Sequence, residues 1–264
     1  MKSQIKTVLS IAGSDCSGGA GIQADLKTFS AHRVFGMTAV TSVVAENTVR
    51  VIEYQDIHPN IIISQIDAIF EDIPPDAIKI GMLSCNDTML AVSESLKKWN
   101  SKNVVIDPVM YAKNGAALME PASIGTLIKE ILPLADILTP NIPEAQEITG
   151  ISITGLNDMR DAAKAICNMG CKAVVVKGGH MEGDAIDLLF DGKEFCEFTE
   201  KRVDTKHTHG TGCTFSAAIA SNIAMGLSFK DAVSKAKEYI HAAIVNAPQI
   251  GKGHGPTHHF HSLW

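Results

Sequence analysis

Basic residues are too few here for a nucleic-acid binder. Lys and Arg number 23 against 29 Asp and Glu, a net charge of −6, so no positive face is offered to a phosphate backbone. No apolar run approaches the roughly 18 residues of a membrane-spanning helix. The polar start Met1 to Lys6 runs straight into a strand-like Thr7-Val8-Leu9-Ser10-Ile11, leaving no room for a secretory signal. The expectation is a cytoplasmic protein that contacts neither membrane nor nucleic acid. The six cysteines, Cys16, Cys85, Cys167, Cys171, Cys196 and Cys213, include no C-x-x-C pair, and a chain of this length needs no disulfide framework, so free thiols are expected. Cys167 and Cys171 stand four apart on an expected helix, but without a His or acidic partner they read as core and not as metal ligands. Repeats, low-complexity blocks and linkers are also missing, so residues 1–264 are expected to form one domain. At 45% hydrophobic and 20% charged residues it has material for an ample core.

What is present is an alternation. β-branched runs at 7–12, 37–44, 77–80, 104–107, 137–139 and 173–177 read as strands, and helix-period segments at 21–31, 61–70, 88–99, 122–131, 143–149 and 159–169 separate them. Such a pattern implies right-handed βαβ crossovers and a mainly parallel sheet with helices on both faces. Runs at 185–190 and 194–199, joined by Asp191-Gly192, read as a β-hairpin edging the sheet. Helices over 213–225 and 229–247 precede a Gly- and His-rich tail.

Within that frame, His209-Gly210-Thr211-Gly212-Cys213-Thr214 followed at once by the apolar run from Phe215 to Met225 is built like a helix N-terminus that holds an anion. Two glycines let the backbone approach a ligand, and the first amide N–H groups of a helix have no partner inside it. Phosphate is the natural guest. A cysteine in the same turn sits in positive partial charge, which is expected to lower its thiol pKa and make Cys213 a base or nucleophile. The competing account is an ordinary loop-to-helix joint with a small buried cysteine.

Ligands of such folds bind beyond the carboxyl ends of the strands, and the polar residues collect there. The first strand leads into Gly13-Ser14-Asp15-Cys16-Ser17-Gly18-Gly19-Ala20-Gly21 with Asp25 just inside the next helix. Its spacing is not G-x-G-x-x-G, so a dinucleotide site is poorly supported. Glu46 in Ala45-Glu46-Asn47-Thr48 can accept from an amino-substituted ring, or can be a solvated loop acid. Asp107 tips an apolar strand, and Asn141 and Glu144 stand three apart after another. Oxygen ligands on separate loops suit Mg²⁺, whereas Pro143 between the latter two suits helix capping. Lys177 closes Val174-Val175-Val176 beside Gly178-Gly179, as a phosphate-binding cation or as a strand-end lysine reaching solvent.

Taken together these residues resemble the ribokinase superfamily, and within it the hydroxymethylpyrimidine and phosphomethylpyrimidine kinases of thiamin biosynthesis. The resemblance spans essentially the whole chain. It rests on Ala12-Gly13-Ser14-Asp15, Ser17 to Thr28, Lys79-Ile80-Gly81-Met82, Asp107-Pro108-Val109-Met110, Thr139-Pro140-Asn141 with Glu144, Val176-Lys177-Gly178-Gly179-His180, Thr208 to Thr214, and Gly255-Pro256 with His258-His259-Phe260.

The resemblance implies a three-layer ribokinase-like α/β fold, ATP and Mg²⁺ as cofactors, and a homodimer. It makes Gly210, Thr211 and Gly212 the anion hole, with Cys213 standing where most of the superfamily has an aspartate base. Lys177, Asn141 and Thr211 fall on nucleotide positions, and Asp107, Asn141 and Glu144 on those that organise Mg²⁺. Gly13, Asp25, Glu46, Met82 and Val109 match positions lining a pyrimidine pocket. The implied reaction is ATP-dependent phosphorylation of 4-amino-5-hydroxymethyl-2-methylpyrimidine and then of its monophosphate. Pyridoxal or pyridoxine phosphorylation is the alternative for a cysteine of this type, and a binding protein without turnover is a third reading. Many relatives resemble Ala-Gln-Asn-Thr where Glu46 stands here, so Glu46 adds a charge or favours a protonated ring nitrogen. Residues 112–116, Ala112-Lys113-Asn114-Gly115-Ala116, are expected to act as a flap, and the tail 251–256 to border the nucleotide or to be a disordered chain end. His258, His259 and His261 group closely but lack the acid or cysteine a metal site would need.

Overall fold

Strand β1 (Thr7–Ala12) is buried along nearly its whole length and passes through a glycine loop into helix α1 (Gly21–Ala31). This is seen in a computed structural model that describes residues 5–113, 115–179 and 183–263. β2 (Phe35–Val40) returns parallel to β1. β3 (Ser42–Glu46) and β4 (Val51–Asp56) then pair antiparallel as a separate two-stranded sheet. After α2 (Pro59–Asp72) come β5 (Ala77–Ile80), α3 (Asn86–Lys98), β6 (Val104–Ile106), the short α4 (Ile124–Thr126) and β7 (Ile137–Leu138). The remainder is α5 (Ile142–Thr149), α6 (Leu156–Asn168), β8 (Ala173–Lys177), β9 (Ala185–Phe190), β10 (Phe195–Glu200), α7 (Thr211–Ala224) and α8 (Phe229–Val245).

The main sheet has the order β10-β9-β8-β7-β6-β5-β1-β2. Every pairing from β2 to β8 is parallel, and β9 and β10 add the expected antiparallel hairpin at one edge. Alternate strand residues point to opposite faces, and the apolar content divides accordingly. Val8, Ala77, Val105, Ile137, Ala173 and Val175 pack with residues of α1, α7 and α8. Leu9, Ile11, Ile78, Ile80, Ile106, Leu138, Val174 and Val176 pack with residues of α2, α3, α5 and α6. Burial on both faces explains why these strands are continuous apolar runs.

Three expectations need correction. The run 37–44 is not one strand. β1 ends at Ala12, which accepts from Thr41 N–H, so the main sheet has no partner for residues beyond Thr41; Thr41 Oγ1 bonds Met82 O and the chain turns away into β3. β4 went unassigned because Ile52 to Gln55 are exposed on both faces of a two-stranded ribbon, so no apolar face is buried there. The helix expected at 122–131 breaks into a 3₁₀ turn (Pro121–Ser123), α4, a π turn (Leu127–Ile131) and another 3₁₀ turn (Leu132–Leu134). Pro133 has no N–H for a helical bond, and the wider turn lets Leu127, Ile131 and Leu132 all reach the core.

Helix α7 decides where the site lies. Each residue from Thr214 to Ala224 is buried, and small side chains such as Ala217, Ala218 and Ala220 let it run close under β1, β5 and β6 between α1 and α8. Its N-terminus therefore opens where the parallel strands end.

Candidate active site

The N-cap of α7 is Gly210 at φ 75°, with no side chain capping the first turn. A methyl group on Gly210 would fall 1.7 Å from Gly19 O, so only glycine lets this turn close against the glycine loop. Within that loop, Gly21 at φ 55° leaves no room for a side chain, whose Cβ would lie 2.4 Å from Gly13 O. Thr211 Oγ1 donates to Thr208 O, which holds the turn, and the first amides of a helix have no partner inside it.

Against that turn stands an ion pair. Lys177 Nζ lies 2.6 Å from Asp107 Oδ1, which also accepts from Thr139 Oγ1. A methyl on Gly212 would sit 3.0 Å from Asp107 Oδ2 and 3.3 Å from Lys177 Nζ, so the pair touches the backbone of the anion turn directly. Burial works to lower the Lys177 ammonium, but Asp107 and Glu144 outweigh it and hold it above its ordinary range.

Asn141 and Glu144 form a reciprocal capping box: Glu144 N–H donates to Asn141 Oδ1 at 2.9 Å and Asn141 N–H to Glu144 Oε2 at 2.7 Å. Burial, aided by the charge of Asp107, lifts the Glu144 carboxyl to about 7 against the pull of Lys177. Capping thus accounts for these two residues locally, and the buried acid is left facing the Asp107–Lys177 pair.

Beneath Cys213 lies a second pair that sequence reasoning passed over. Lys79 Nζ meets Asp25 Oδ2 at 2.9 Å with both side chains fully buried, and Ser10 Oγ donates to the same oxygen. Asp25 Oδ1 has no hydrogen-bond partner. Asp25, expected in the pocket lining, is therefore under the floor. Lys79 had one readable signal, a lysine in the middle of an apolar strand, which demands a buried counter-charge. The expectation for Cys213 is reversed: burial raises its thiol to about 11, with Lys79 opposing and Asp25 and Asp107 adding to the rise. The helix terminus does not offset the loss of solvent around a half-buried thiol set against Asp25 and Asp107.

Of the residues expected to line a pyrimidine pocket, Gly13 and Met82 are in contact. A methyl on Gly13 would lie 3.2 Å from Met82 Sδ, while Val109 is half-buried in the turn after Asp107, its N–H bonded to Asp107 O. Glu46, Asp15 and His209 place one ligand atom each within 4.8 Å of one another. Burial and the neighbouring Asp15 charge lift Glu46 to about 7, so the acid is not the simple extra charge expected. Asp15 accepts N–H bonds from Ser17, Gly19 and Ala20 as well as from His209, and is held below the usual carboxylate range although burial opposes it. A small cavity beside this cluster is lined by Glu46, Thr48, Lys113, His209 and His254. A second, of about 500 Å³, is lined by Lys113, Gly179, Arg202, Thr205 and Thr208. The tail borders the first and not the second, because His254 N–H bonds Thr48 O. His259 Nε2 lies 3.1 Å from Thr214 Oγ1, and burial lowers its pKa to about 4.

Residues 15–258 match the phosphomethylpyrimidine kinase family model. The chain belongs to the phosphomethylpyrimidine kinase family. The hydroxymethylpyrimidine/phosphomethylpyrimidine kinase of Rhizobium meliloti is 48% identical over 260 residues, 97% of each chain. The crystal structure of a Clostridium difficile phosphomethylpyrimidine kinase superposes with a TM-score of 0.82 at 47% identity, covering 90% of this chain and 99% of that one. An ADP complex of Bacillus subtilis pyridoxal kinase superposes at 0.91 with 40% identity, covering 97% and 98%. The fold of this phosphomethylpyrimidine kinase relative is the expected three-layer, ribokinase-like one, and the family is one of kinases. Asp15, His209, Lys79, Arg202 and Lys113 are the chemistry-bearing neighbours to which no role had been given. Of the quoted motif residues, His180 lies outside the described residues, as does Asn114 of the flap. The flap's flanks form a hairpin, with Tyr111 bridged to Ala117 and Ala112 N–H bonded to Ala116 O.

Proposed function

We propose that this chain transfers the γ-phosphoryl group of ATP to the hydroxymethyl oxygen of 4-amino-5-hydroxymethyl-2-methylpyrimidine, and then to the phosphate of that product. The observation that carries the reading is the uncapped N-terminus of α7, with Gly212 pressed against the Asp107–Lys177 pair at the strand ends. Oriented amides and a cation are what phosphoryl transfer needs, since its loose transition state spreads charge over the equatorial oxygens. The 500 Å³ cavity beside Thr208 is the assigned seat of the nucleotide, with Lys177, Thr211 and Asn141 toward its phosphates. The ring enters against Glu46, Met82, Gly13 and Val109, above Asp25, with its hydroxymethyl group directed at Cys213. In the first transfer the hydroxyl oxygen bonds to the γ-phosphorus, the bond to ADP breaks, and ADP leaves with the electron pair. The proton is lost late in such a transition state, so Cys213, with few thiolates at neutral pH, is an acceptor at hand and not the main source of rate.

Asp107 and Glu144, with Asn141, would hold Mg²⁺. Their donors are all oxygen, and a cation beside Asp107 would favour the charged form of the buried Glu144 acid. Because Asp107 and Glu144 already accept hydrogen bonds from Lys177 and Asn141, they fit an ion held through water. When bound, Mg²⁺ neutralises phosphate charge. The homodimer is assigned to the β3–β4 ribbon, where Val43, Ile52 and Tyr54 are exposed. Six free thiols suit a reducing cytoplasm.

The test presents each acceptor separately with ATP and Mg²⁺ and follows the products by ³¹P NMR. Monophosphate from the alcohol and pyrophosphate from the monophosphate are expected. The second reading, pyridoxal phosphorylation, is favoured by the superposition on pyridoxal kinase and by Cys213, whose sulfur can add to an aldehyde. A higher kcat/KM for pyridoxal than for the pyrimidine alcohol would reverse the order.

A further inference from the structure

The two transfers differ in charge. An alcohol is neutral, whereas a phosphate monoester brings nearly two negative charges at pH 7, beside an anion hole already occupied by the γ-phosphoryl. Its attacking oxygen carries no proton to remove, so the second transfer needs an additional cation and no base. The cations near the site are mostly engaged. Lys177 pairs with Asp107, Lys79 with Asp25, Lys237 with Asp187, and His209 with Asp15. Lys27 Nζ donates to Gly18 O, and Arg202 to Gly179 O and Gly183 O.

Lys113 differs. It stands in the hairpin after Asp107, between Ala112 and Ala116 whose backbones are bonded, and makes no ion pair among the described residues. It lines both cavities, flanking His209 on the ring side and Thr208 on the nucleotide side, the two residues that lead into the anion turn. Its side chain is exposed, its charge is felt by His209, and the protein atoms around it pull its ammonium below the ordinary value. A cation held without a partner between two ligand cavities is placed for an anion that arrives with substrate.

We propose that Lys113 receives the phosphate of the monophosphate acceptor and so separates the second phosphoryl transfer from the first. This rests on the reading that both transfers occur in this site. In the second step a non-bridging oxygen of the acceptor phosphate bonds to the γ-phosphorus, the bond to ADP breaks, and ADP takes the electron pair. Lys113 neutralises the two acceptor oxygens that do not react.

The test is the ratio of kcat/KM for the monophosphate to kcat/KM for the alcohol, in wild type, Lys113→Met and Lys113→Arg. Lys113→Met is expected to lower the ratio about tenfold or more, the worth of one charge-assisted contact, and Lys113→Arg to restore most of it. A ratio unchanged in Lys113→Met overturns the proposal, whether the separate rates fall together or not, because a nucleotide contact or a structural role moves both equally. If Lys113→Met turns over neither acceptor, calorimetric titration of each acceptor onto the nucleotide-free protein reads the same ratio from Kd. Monophosphate binding weakened no more than alcohol binding then sinks the idea. Failure of the underlying reading looks different: the wild-type enzyme itself would convert neither acceptor.

Discussion

His209 Nε2 lies 2.8 Å from Asp15 Oδ2, a contact that ties the anion turn to the glycine loop across 194 residues of sequence. The same carboxylate gathers the N–H groups of Ser17, Gly19 and Ala20, and Gly210 packs on Gly19. The glycine loop and the first turn of α7 are therefore tied together by side-chain and backbone contacts. Burial acts to lower the His209 pKa, but Asp15 reverses it, so the imidazolium persists above its usual range and Glu46 completes the cluster.

Pyrimidine binding should respond to this cluster. Glu46 keeps its proton up to about pH 7 and below that can donate to an unprotonated ring nitrogen. The charged groups beside it are Asp15, His209 and Lys113, and Asp15 holds the His209 imidazolium above its ordinary range. The KM for the pyrimidine alcohol is expected to rise about tenfold from pH 6 to pH 8, the worth of one hydrogen bond. Glu46→Gln, which keeps a donor but cannot titrate, should flatten the profile. An equally steep profile in that variant would remove Glu46 from ring recognition.

Stability should carry the same signature. Glu46 and Glu144 are raised from 4.5 to about 7, so the folded chain holds protons that the unfolded chain has released. His209 is raised above 6.5, so its contribution is complete below that pH and is lost as pH climbs through its folded value. All three contributions decline with rising pH, the carboxyls between about 4.5 and 7 and His209 above 6.5. Asp15, depressed below 3.8, contributes equally across that window. His259 and His32, both lowered by burial, work the opposite way up to pH 6.5, so thermal melting without ligands is expected at lower temperature at pH 8 than at pH 6.5, with a shallower slope in Glu144→Gln. A Tm that climbs over this range would contradict the assigned directions.

Gly212 and Gly210 offer a paired test of the anion turn. A methyl on Gly212 meets only Asp107 Oδ2 and Lys177 Nζ, at 3.0 and 3.3 Å, so Gly212→Ala should fold and displace the ion pair. Loss of one aligned donor or cation costs about 10²–10³ in kcat, and a change of that size with little change in Tm is expected. Gly210→Ala collides with backbone at 1.7 Å and occupies φ 75°, so it should lower Tm outright. Activity retained in Gly212→Ala would place the phosphoryl group elsewhere.

The sequence made the candidate strand-end residues legible because each follows an apolar strand: Asp107 after Val104 to Ile106, Asn141 after Ile137-Leu138, Lys177 after Val174 to Val176. The loop-to-helix glycines were legible because only glycine tolerates their geometry. What stayed hidden depends on contacts between distant segments. Nothing local in Lys79 names Asp25 as its partner, and nothing in His209 names Asp15. The break at Thr41 follows from where β1 ends and not from any residue in 37–44. The thiol of Cys213 was misjudged because the dipole of a helix start is visible in sequence, whereas the carboxylates of Asp25 and Asp107 that the fold brings near it are not.

The buried pair beneath the site separates stability from chemistry. Lys79→Met leaves Asp25 with an uncompensated charge in a fully buried setting, since Ser10 alone remains on Oδ2 and Oδ1 has no partner. Breaking such a pair costs about 3–5 kcal/mol, while replacing both members by apolar groups of similar volume is nearly neutral. Lys79→Met should therefore lower stability in urea by that amount, and Lys79→Met with Asp25→Leu should recover most of it. The double variant removes from beneath Cys213 both the ammonium that opposes its rise to about 11 and the carboxylate that adds to it, so the thiol is expected to stay close to that value. A double variant as unstable as the single one would show that the pair is not held by its mutual charge.

Cys213 itself tests whether a thiol lifted to about 11 does work. At pH 7.5 almost all of it is protonated, so alkylation by iodoacetamide should be slow and quicken with each pH unit toward 10. Cys213→Ala should lower kcat for the alcohol acceptor by about 10²-fold, the lower end for loss of a positioned proton acceptor, and lower kcat for the monophosphate much less, because that acceptor arrives without a proton. Lys113→Met should show the opposite preference. Equal losses for both acceptors in Cys213→Ala would mean that the sulfur shapes the pocket without taking the proton, and wild-type rates would remove it from the reaction.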